Sequence, residues 1–420
     1  MLKTAVVRLS LSALFLVGCS DAVGPDPAPI TELPRALTVA EQAVIRHGNA
    51  FGIDLMREVV SRDGRPNVIL SPLSASMALG MTLNGAAEGT FDAMRSTLGF
   101  AGMSQAEINE AYRGLMDLLT GLDPAVRFDI ANSVWANKDV PFHEAFLQAV
   151  RDAFDARVES RDFADPATLQ AVNDWVSQNT EGLIPSILDY LEPSLVMLLI
   201  NAIYFDGAWT SRFDPADTRL QDFRREDQST VQVDMMSLSK VKVPVSLGPG
   251  YAAVELPYGG EAYSMVVVLP TDARQFLASL DADRWRGLID GLTPTELDVV
   301  SIPKFTLDFD AYLNEALKAM GMGVAFRPGA DFTRLSPQGD AMCISFVRQK
   351  TFVEVNERGT RAAAVTAVGI GRTSFNGLVA NQPFVFAIRE RLSGTLLFLG
   401  MVGDPTAEDP GAEPLVSECG

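Results

Sequence analysis

The sequence predicts an α+β protein built as one large domain. Helical spacing of apolar residues dominates the first half of the 420-residue chain, whereas strand patterns dominate the second half. No internal repeat and no second linker divides residues 37–404. Hydrophobic residues make up 47% of the sequence and charged residues 21%, a composition typical of a packed globular protein rather than a disordered chain.

The first half of the chain carries most of the predicted helices. A helix is predicted over residues 37–60, and Gly64 and Pro66 stop it. Ser71 and Pro72 open the next helix, because a serine cap followed by proline is a helix-start signal. The other elements predicted here are the strands 67–70 and 128–136 and the helices ending at 83 and spanning 92–98, 105–120, 141–154 and 166–180.

The second half reads mainly as strands. Residues 195–205 form a nearly unbroken apolar run, long enough for a strand buried on both faces. A single helix is predicted over residues 312–320. The remaining strands are predicted over 241–245, 251–256, 263–269, 297–302, 344–356, 384–389 and 395–402. Several strands in succession with few helices between them favour large mixed sheets.

Residues 1–18 predict an export signal. Two basic residues precede the apolar stretch 9–18, which is too short to span a bilayer as a stable helix. The junction Leu-Val-Gly-Cys at 16–19 resembles the lipobox of bacterial lipoproteins. That resemblance implies cleavage before Cys19 and acylation of Cys19, with Ser20 favouring the outer membrane. The alternative is an ordinary signal peptide followed by an incidental cysteine.

Two polar segments flank the predicted domain. Residues 19–36 are proline-rich and predict a tether. Residues 405–420 are acidic and predict a disordered tail. The tail contains Cys419, which we expect to be a free thiol, although a bridge to Cys343 is also open.

The composition excludes several classes of function. Acidic residues outnumber basic ones by 53 to 34, and this negative charge disfavours nucleic-acid binding. Only two histidines occur, and G-x-S-x-G, Gly-rich phosphate loops and H-E-x-x-H are absent. The one S-x-x-K, from Ser237 to Lys240, lacks the companion motifs of a β-lactamase. We therefore expect no enzyme, no cofactor and no metal.

The segment 354–367, EVNERGTRAAAVTA, differs from a core strand and from an ordinary loop. From Gly359 onward the side chains alternate between two faces if the chain is extended. One face carries only small or β-branched uncharged residues, whereas the sole charge, Arg361, falls on the other. The first face could therefore pack on a core without burying a charge. An alanine-rich helix or a mobile linker is the alternative. The uncharged face comprises Thr360, Ala362, Ala364, Thr366 and Val368.

Ordered motifs over residues 37–404 resemble the serpins, the serine-protease inhibitors, and the segment at 354–367 resembles the hinge of their reactive-centre loop. The motifs are NVILSPLSASMALGMTLNGAAEGT (67–90), NAIYFDGAW (201–209), VDMM (233–236), AAVELPYGG (252–260), MVVVLP (265–270), IPKFTLD (302–308) and NQPFVFAIRERLSGTLLFLGMV (381–402). The resemblance implies a metastable single domain with three β-sheets, eight or nine helices and an exposed loop. The hinge residues it implies are Glu357, Gly359, Thr360, Ala362, Ala363 and Ala364.

The resemblance also implies a function, namely suicide inhibition of serine proteases by a monomer whose cleaved loop inserts into the main sheet. Two counts of the loop place the cleaved bond at Arg372–Thr373 or at Thr373–Ser374. Arg372 would select trypsin-like proteases and Thr373 elastase-like ones, and papain-like cysteine proteases are a further possible target. The alternative is a non-inhibitory serpin that acts as a surface-binding or structural lipoprotein.

Five residues match the region of the family where the sheet opens: Ser71, Ser74, Asn201, Trp209 and Gln349. Two positions depart from the family pattern. Gln349 stands where many members have a histidine, and a glutamine can form hydrogen bonds but cannot act as a pH-sensitive partner. Asp206 stands where a lysine is common.

Overall fold

The computed structural model describes residues 28–360 and 376–412, and over these ranges it confirms the α+β class with nine α-helices and three β-sheets. The hinge residues Ala362, Ala363 and Ala364, the predicted cleavage site at 372–374, and Cys19 lie outside the described residues. The helices are α1 (Val39–Arg62), α2 (Pro72–Leu83), α3 (Glu88–Thr97), α4 (Gln105–Leu119), α5 (Glu144–Phe154), α6 (Pro166–Asn179), α7 (Ala273–Ala278), α8 (Ala282–Asp290) and α9 (Asn314–Leu317).

The fifteen described strands overlap every strand predicted from the sequence and include several more, but β4 and β11 begin after the predicted positions 195 and 344. They are β1 (Asn67–Leu70), β2 (Val126–Asn137), β3 (Arg157–Arg161), β4 (Met197–Ala208), β5 (Arg219–Arg224), β6 (Thr230–Gly248), β7 (Tyr251–Tyr258), β8 (Tyr263–Pro270), β9 (Thr293–Pro303), β10 (Phe305–Tyr312), β11 (Arg348–Val355), β12 (Gly359–Thr360), β13 (Gly377–Val379), β14 (Phe384–Glu390) and β15 (Leu396–Val402).

The strands form one large sheet and two smaller ones. The nine-stranded sheet has the order β1-β15-β14-β8-β7-β6-β9-β13, and β5 pairs with β6 off this path. The four-stranded sheet has the order β12-β4-β2-β3, and β10 and β11 form a separate antiparallel pair. The chain leaves β11 and enters β12 after only three residues, so that the two smaller sheets meet at the predicted hinge.

The strand predicted over 195–205 is confirmed as β4, and it contacts two core clusters. On one face Leu198, Ile200 and Ala202 pack in a cluster with Trp175 of α6. On the other face Phe205 belongs to the main core, which extends to the nine-stranded sheet. Because both faces are covered, the sequence lacks the alternation of a half-exposed strand.

The sequence missed short or polar strands. β6 runs over 19 residues, of which only 241–245 were predicted, and positions in its first part alternate between more buried and more exposed. β3 and β13 are five and three residues long, too short for a periodic signal. The helix predicted over 312–320 is interrupted, because α9 continues into a π-helical turn with a non-helical Gly321.

Parts of both flanking segments contact the domain. In the predicted tether, the Ile30 N–H donates to the Gly260 carbonyl at 2.7 Å, and Arg35 pairs with Glu41 at 2.6 Å. In the predicted tail, Asp409 pairs with Arg65 at 2.6 Å. Between residues 28 and 412, as far as the chain is described, no helix is both long and apolar enough to cross a bilayer.

Candidate functional site at the hinge and the sheet opening

The chain reverses direction in a tight turn just after β11. The Asn356 N–H donates to the Gly359 carbonyl at 2.9 Å, and the Gly359 N–H donates back to the Asn356 carbonyl at 3.2 Å. The Asn356 side chain also accepts a hydrogen bond from the Arg358 N–H at 3.1 Å, as asparagine commonly does in turns. The residues after the turn are therefore directed back along β11.

The first two residues beyond the turn are already paired as a strand. β12 is antiparallel to β4, with Gly359 opposite Ala208 and Thr360 opposite Gly207. Gly359 has a φ of +152°, and a Cβ at this position would lie 2.0 Å from the Gly207 carbonyl oxygen. Only glycine lets the two backbones approach this closely.

Trp209 holds the turn against the end of β4. Its backbone N–H donates to the Arg358 carbonyl at 2.7 Å, and its indole N–H donates to the Asn356 carbonyl at 2.8 Å. The indole ring stacks on Tyr258 with ring centres 4.4 Å apart and is 3% exposed. Packing of the ring therefore fixes both donors in place.

Glu357, inside the turn, is buried although it is charged. Its Oε1 accepts a hydrogen bond from the Thr218 hydroxyl at 2.9 Å, and its backbone carbonyl accepts from the Phe213 N–H at 3.2 Å. Lys304 Nζ lies 3.3 Å from Oε2, an ion pair without hydrogen-bond geometry. These contacts tie the turn to Thr218, Phe213 and Lys304.

Below the turn, β4 and β11 are separated by a cleft. No pairing joins these two strands over the residues that the structure describes: β4 pairs with β2 and, at its end, with β12, and β11 pairs with β10. A small pocket open to solvent lies between the two strands. Its lining includes Ile203 and Phe205 of β4, Phe352 and Val353 of β11, and Leu183 from the loop after α6. It therefore has apolar walls and two unpaired strand edges.

A polar cluster closes the lower end of the cleft. The Gln349 side-chain amide accepts a hydrogen bond from the Ser71 N–H and donates to the Ser71 carbonyl, both at 3.0 Å. The Ser71 hydroxyl donates to the Leu397 carbonyl at 2.8 Å and accepts from the Ser74 N–H at 3.3 Å, capping α2. Gln349 thus ties β11 to the start of α2.

Asn201 links the same cluster to β4. The Ser74 hydroxyl donates to the Asn201 carbonyl at 3.4 Å, and the Asn201 amide donates to Asn132 Oδ1 on β2 at 2.8 Å. Two buried oxygens near the cleft have no hydrogen-bond partner, namely Asn201 Oδ1 on β4 and Thr351 Oγ1 on β11. Buried polar atoms without partners are rare in proteins. These two lie on the two strands that face each other across the cleft.

The structure brings together Ser71, Ser74, Asn201 and Gln349, and it places Trp209 at the hinge with Glu357, Gly359 and Thr360. The sequence did not predict the partners of these residues. Asn132, which binds Asn201, could have been noticed as an amide inside an apolar strand. No sequence pattern indicates that Thr218 and Lys304 contact Glu357. Asp206 lies on β4 one residue before Gly207, and the Tyr204 hydroxyl donates to its carboxylate at 3.3 Å.

Among the described residues no group of three or more His, Cys, Asp or Glu side chains could hold a metal ion. Cys343 is disulfide-bonded, and the other two cysteines of the chain, Cys19 and Cys419, lie outside the described ranges.

The fold and the hinge define a protein in which two small sheets are separated by a cleft between β4 and β11, at the point where the chain turns after β11. The chain belongs to the serpin family: the family model described as Serpin (serine protease inhibitor) matches residues 46–405. It is 34% identical over 368 residues to intracellular coagulation inhibitor 2 of Tachypleus tridentatus, covering 84% of this chain and 89% of that protein.

Solved structures agree with this assignment. The thermophilic serpin tengpin in its native state is 30% identical, with a TM-score of 0.78, and the match covers 90% of this chain and 97% of tengpin. Human thyroxine-binding globulin in complex with its hormone is 25% identical with a TM-score of 0.79, covering 88% of this chain and 100% of the globulin. The family therefore includes inhibitors and a hormone-binding protein.

Proposed function

We propose that this serpin inhibits trypsin-like or elastase-like serine proteases as a suicide substrate, through insertion of its cleaved loop between β4 and β11. The observation that carries the proposal is the pairing of Gly359 and Thr360 with β4 at the mouth of a cleft with two unpaired edges. Papain-like cysteine proteases are alternative targets, and the inhibitor acts as a monomer.

The register of β12 fixes where each later residue would lie if the strand continued. On the β4 side, Ala362 would lie opposite Phe205, and on the β11 side opposite Val353, by continuation of the pairings at Gly359. Phe205 and Val353 are 7% and 3% exposed and belong to the main core. The uncharged face of the segment would therefore meet the core, where a charge would be costly.

The same register accounts for one of the two polar atoms without partners. Thr366 would lie opposite Asn201 on one side and Gln349 on the other, so that its hydroxyl could donate to Asn201 Oδ1. Ala364 would lie beside Thr351, bringing an extended backbone to the unpaired edge. Insertion would satisfy Asn201 Oδ1, which the resting protein leaves without a hydrogen-bond partner, and an unsatisfied buried polar atom costs about 1–3 kcal/mol.

Arg361 would lie on the outer face between two carboxylates. Continuation of the register places it opposite Asp206 of β4 and opposite Glu354 of β11. Both carboxylate residues are half-buried, and opposite charges on neighbouring strands stabilise a sheet. Asp206, which stands where a lysine is common in the family, would therefore have Arg361 of the inserted strand as its partner.

Hydrogen bonds alone would not drive insertion. About a dozen new bonds at roughly 0.5–1.5 kcal/mol each are offset by ordering the backbone, at about 1–2 kcal/mol per residue. The remaining favourable free energy of insertion must come from burial of side chains in the cleft and from a hydrogen bond to Asn201 Oδ1. It must also rival the roughly 5–15 kcal/mol that stabilises a typical protease domain.

The proposal is tested by mixing the protein with trypsin and with elastase. A complex that resists SDS, with a cleaved protein that unfolds at higher temperature than the intact one, is the expected result. Mass spectrometry of the released fragment decides between Arg372–Thr373 and Thr373–Ser374. Simple cleavage without a complex and without a gain in thermal stability would show a non-inhibitory serpin, which the similarity to thyroxine-binding globulin makes the second candidate.

We further propose that acylated Cys19 anchors the inhibitor to a bacterial membrane, on the basis of the lipobox-like junction. Several acyl chains hold a soluble domain firmly on a bilayer. Cys19→Ala should move the protein from the membrane pellet to the supernatant. A variant that still pellets with membranes would place the anchor elsewhere.

A further inference from the structure

Residues 404–410, here called the strap, follow the last strand of the nine-stranded sheet and cross to the outer edge of β10. The start of the strap is fixed: the Asn67 amide donates to the Asp404 carbonyl at 2.7 Å, and Asp404 pairs with Arg225 at 2.5 Å. The family match ends at residue 405. Most of the strap therefore lies beyond the part of the chain that the family model matches.

The far end of the strap is held by one carboxylate. Asp409 Oδ1 accepts a hydrogen bond from Arg65 at 2.6 Å, and its Oδ2 accepts from the backbone N–H of Asp310 at 2.8 Å. The Asp409 side chain is 10% exposed. A small pocket open to solvent lies between this segment and Leu307 and Phe309.

Both backbone groups of Asp310 are covered by this arrangement. While Asp409 accepts from its N–H, Arg65 donates to its carbonyl at 3.0 Å. Asp310 lies on β10, which pairs only with β11 among the described strands. Because backbone groups alternate in direction along a strand, Thr306 and Asp308 share the outward orientation of Asp310. The strap thus covers part of a free strand edge.

A free strand edge can pair with another chain, and exposed charges on the edge oppose such pairing. Asp308 is exposed and supplies such a charge. Asp310 does not, because its carboxylate accepts hydrogen bonds from Arg348 at 2.8 and 2.6 Å, an interaction that raises the pKa of Arg348. The end of β10 nearest Asp310 is therefore neutralised and needs another form of protection.

We propose that the strap caps the edge of β10 and prevents this edge from pairing with β10 of a second copy of the chain. An antiparallel pair of identical edges is self-complementary and closes as a two-fold dimer. Thr306, Asp308 and Asp310 of one copy would face Asp310, Asp308 and Thr306 of the other. The like charges at Asp308 weaken this dimer at low ionic strength and are screened by salt.

The test compares Asp409→Ala with the matched control Glu408→Ala, because Glu408 is an exposed neighbour in the same strap. Point changes leave the rest of the tail and the disulfide of Cys343 unaltered. Mass is measured by light scattering after gel filtration over a range of concentrations in high salt. Asp409→Ala should double in mass with concentration, whereas the original protein and Glu408→Ala should stay monomeric.

A second change assigns the dimer to β10. Thr306→Pro removes an outward N–H from the edge strand, and added to Asp409→Ala it should restore the monomer; Thr306→Lys replaces it if the proline variant does not fold. Hydrogen exchange at the Asp310 amide reports whether the strap has been released. Three results would overturn the proposal. The first is a strap that is released while the protein stays monomeric at all concentrations, and the second is an Asp310 amide that stays protected from exchange in Asp409→Ala. The third is a dimer that persists in both Thr306 variants.

Discussion

Reversal of one charge in the loop tests the proposed register directly. In the inserted strand Arg361 would lie between Asp206 and Glu354, whereas Arg361→Glu would place three carboxylates side by side. Pairs of charges on neighbouring strands are worth about 0.2–1 kcal/mol each, and like charges are destabilising. Reversing two such pairs therefore costs about 1–3 kcal/mol, which would slow insertion about five- to 150-fold if the pairs form in the transition state.

The assay is the ratio of SDS-stable complex to cleaved, released inhibitor with a single protease. Arg361→Glu should shift this ratio towards cleavage, and Arg361→Gln should have an intermediate effect. Adding Asp206→Lys to Arg361→Glu should restore much of the trapping, since it recreates an opposite-charge pair. The rate of loop cleavage itself serves as control, because residue 361 is eleven positions from Arg372. No coupling between the two positions in this double-mutant cycle would refute the register.

Three further results are expected. Ala362→Arg should turn the inhibitor into a substrate because it would bury a charge in the main core, whereas Arg361→Lys, which keeps the charge on the outer face, should retain most of the trapping; equal SDS-stable complex from both would contradict the assignment of faces. Gly359→Ala should lower the temperature of unfolding and disturb the hinge, because its Cβ would overlap the β4 backbone; an unchanged unfolding temperature and trapping rate would show that the hinge accepts a side chain. The hydrogen bond from Arg35 lowers the pKa of Glu41 in the folded protein. The ionised Glu41 therefore stabilises the fold above its unfolded-state pKa of about 4.3. This stabilisation is lost as the pH falls and Glu41 becomes protonated. The free energy of unfolding, measured with denaturant, should therefore fall less below that pH in Arg35→Met than in the original protein. The same dependence of this free energy on pH in both proteins would disprove the linkage.

The sequence was sufficient to predict β4 but not the contacts of the site. β4 could be read from a local pattern, because burial on both faces is a property of a short segment, whereas the faces predicted after Thr360 lie outside the described residues. The hydrogen bond between Trp209 and Asn356 joins residues 147 positions apart, and no local pattern encodes it. The resemblance to serpins pointed to Trp209 without revealing that its two N–H groups hold the hinge turn.

Two findings about the flanking segments show the same limit. Low hydrophobicity and prolines predicted an unpacked tail, but Asp409 contacts Arg65 because a single carboxylate can be held by a guanidinium and a backbone N–H. The composition of a segment describes its average tendency to bury apolar surface. It carries no information about one polar side chain that finds a partner on a strand edge.

The second core cluster has a consequence for the speed of trapping. Trp175 of α6 and Phe352 of β11 contact the same cluster, which also contains Leu198 of β4. The helix therefore bridges the two sides between which the new strand would enter, and these aromatic contacts must rearrange before the cleft can widen. A looser cluster would let the inhibitor capture a protease sooner, but it would also shorten the time for which the uncleaved molecule keeps its active conformation.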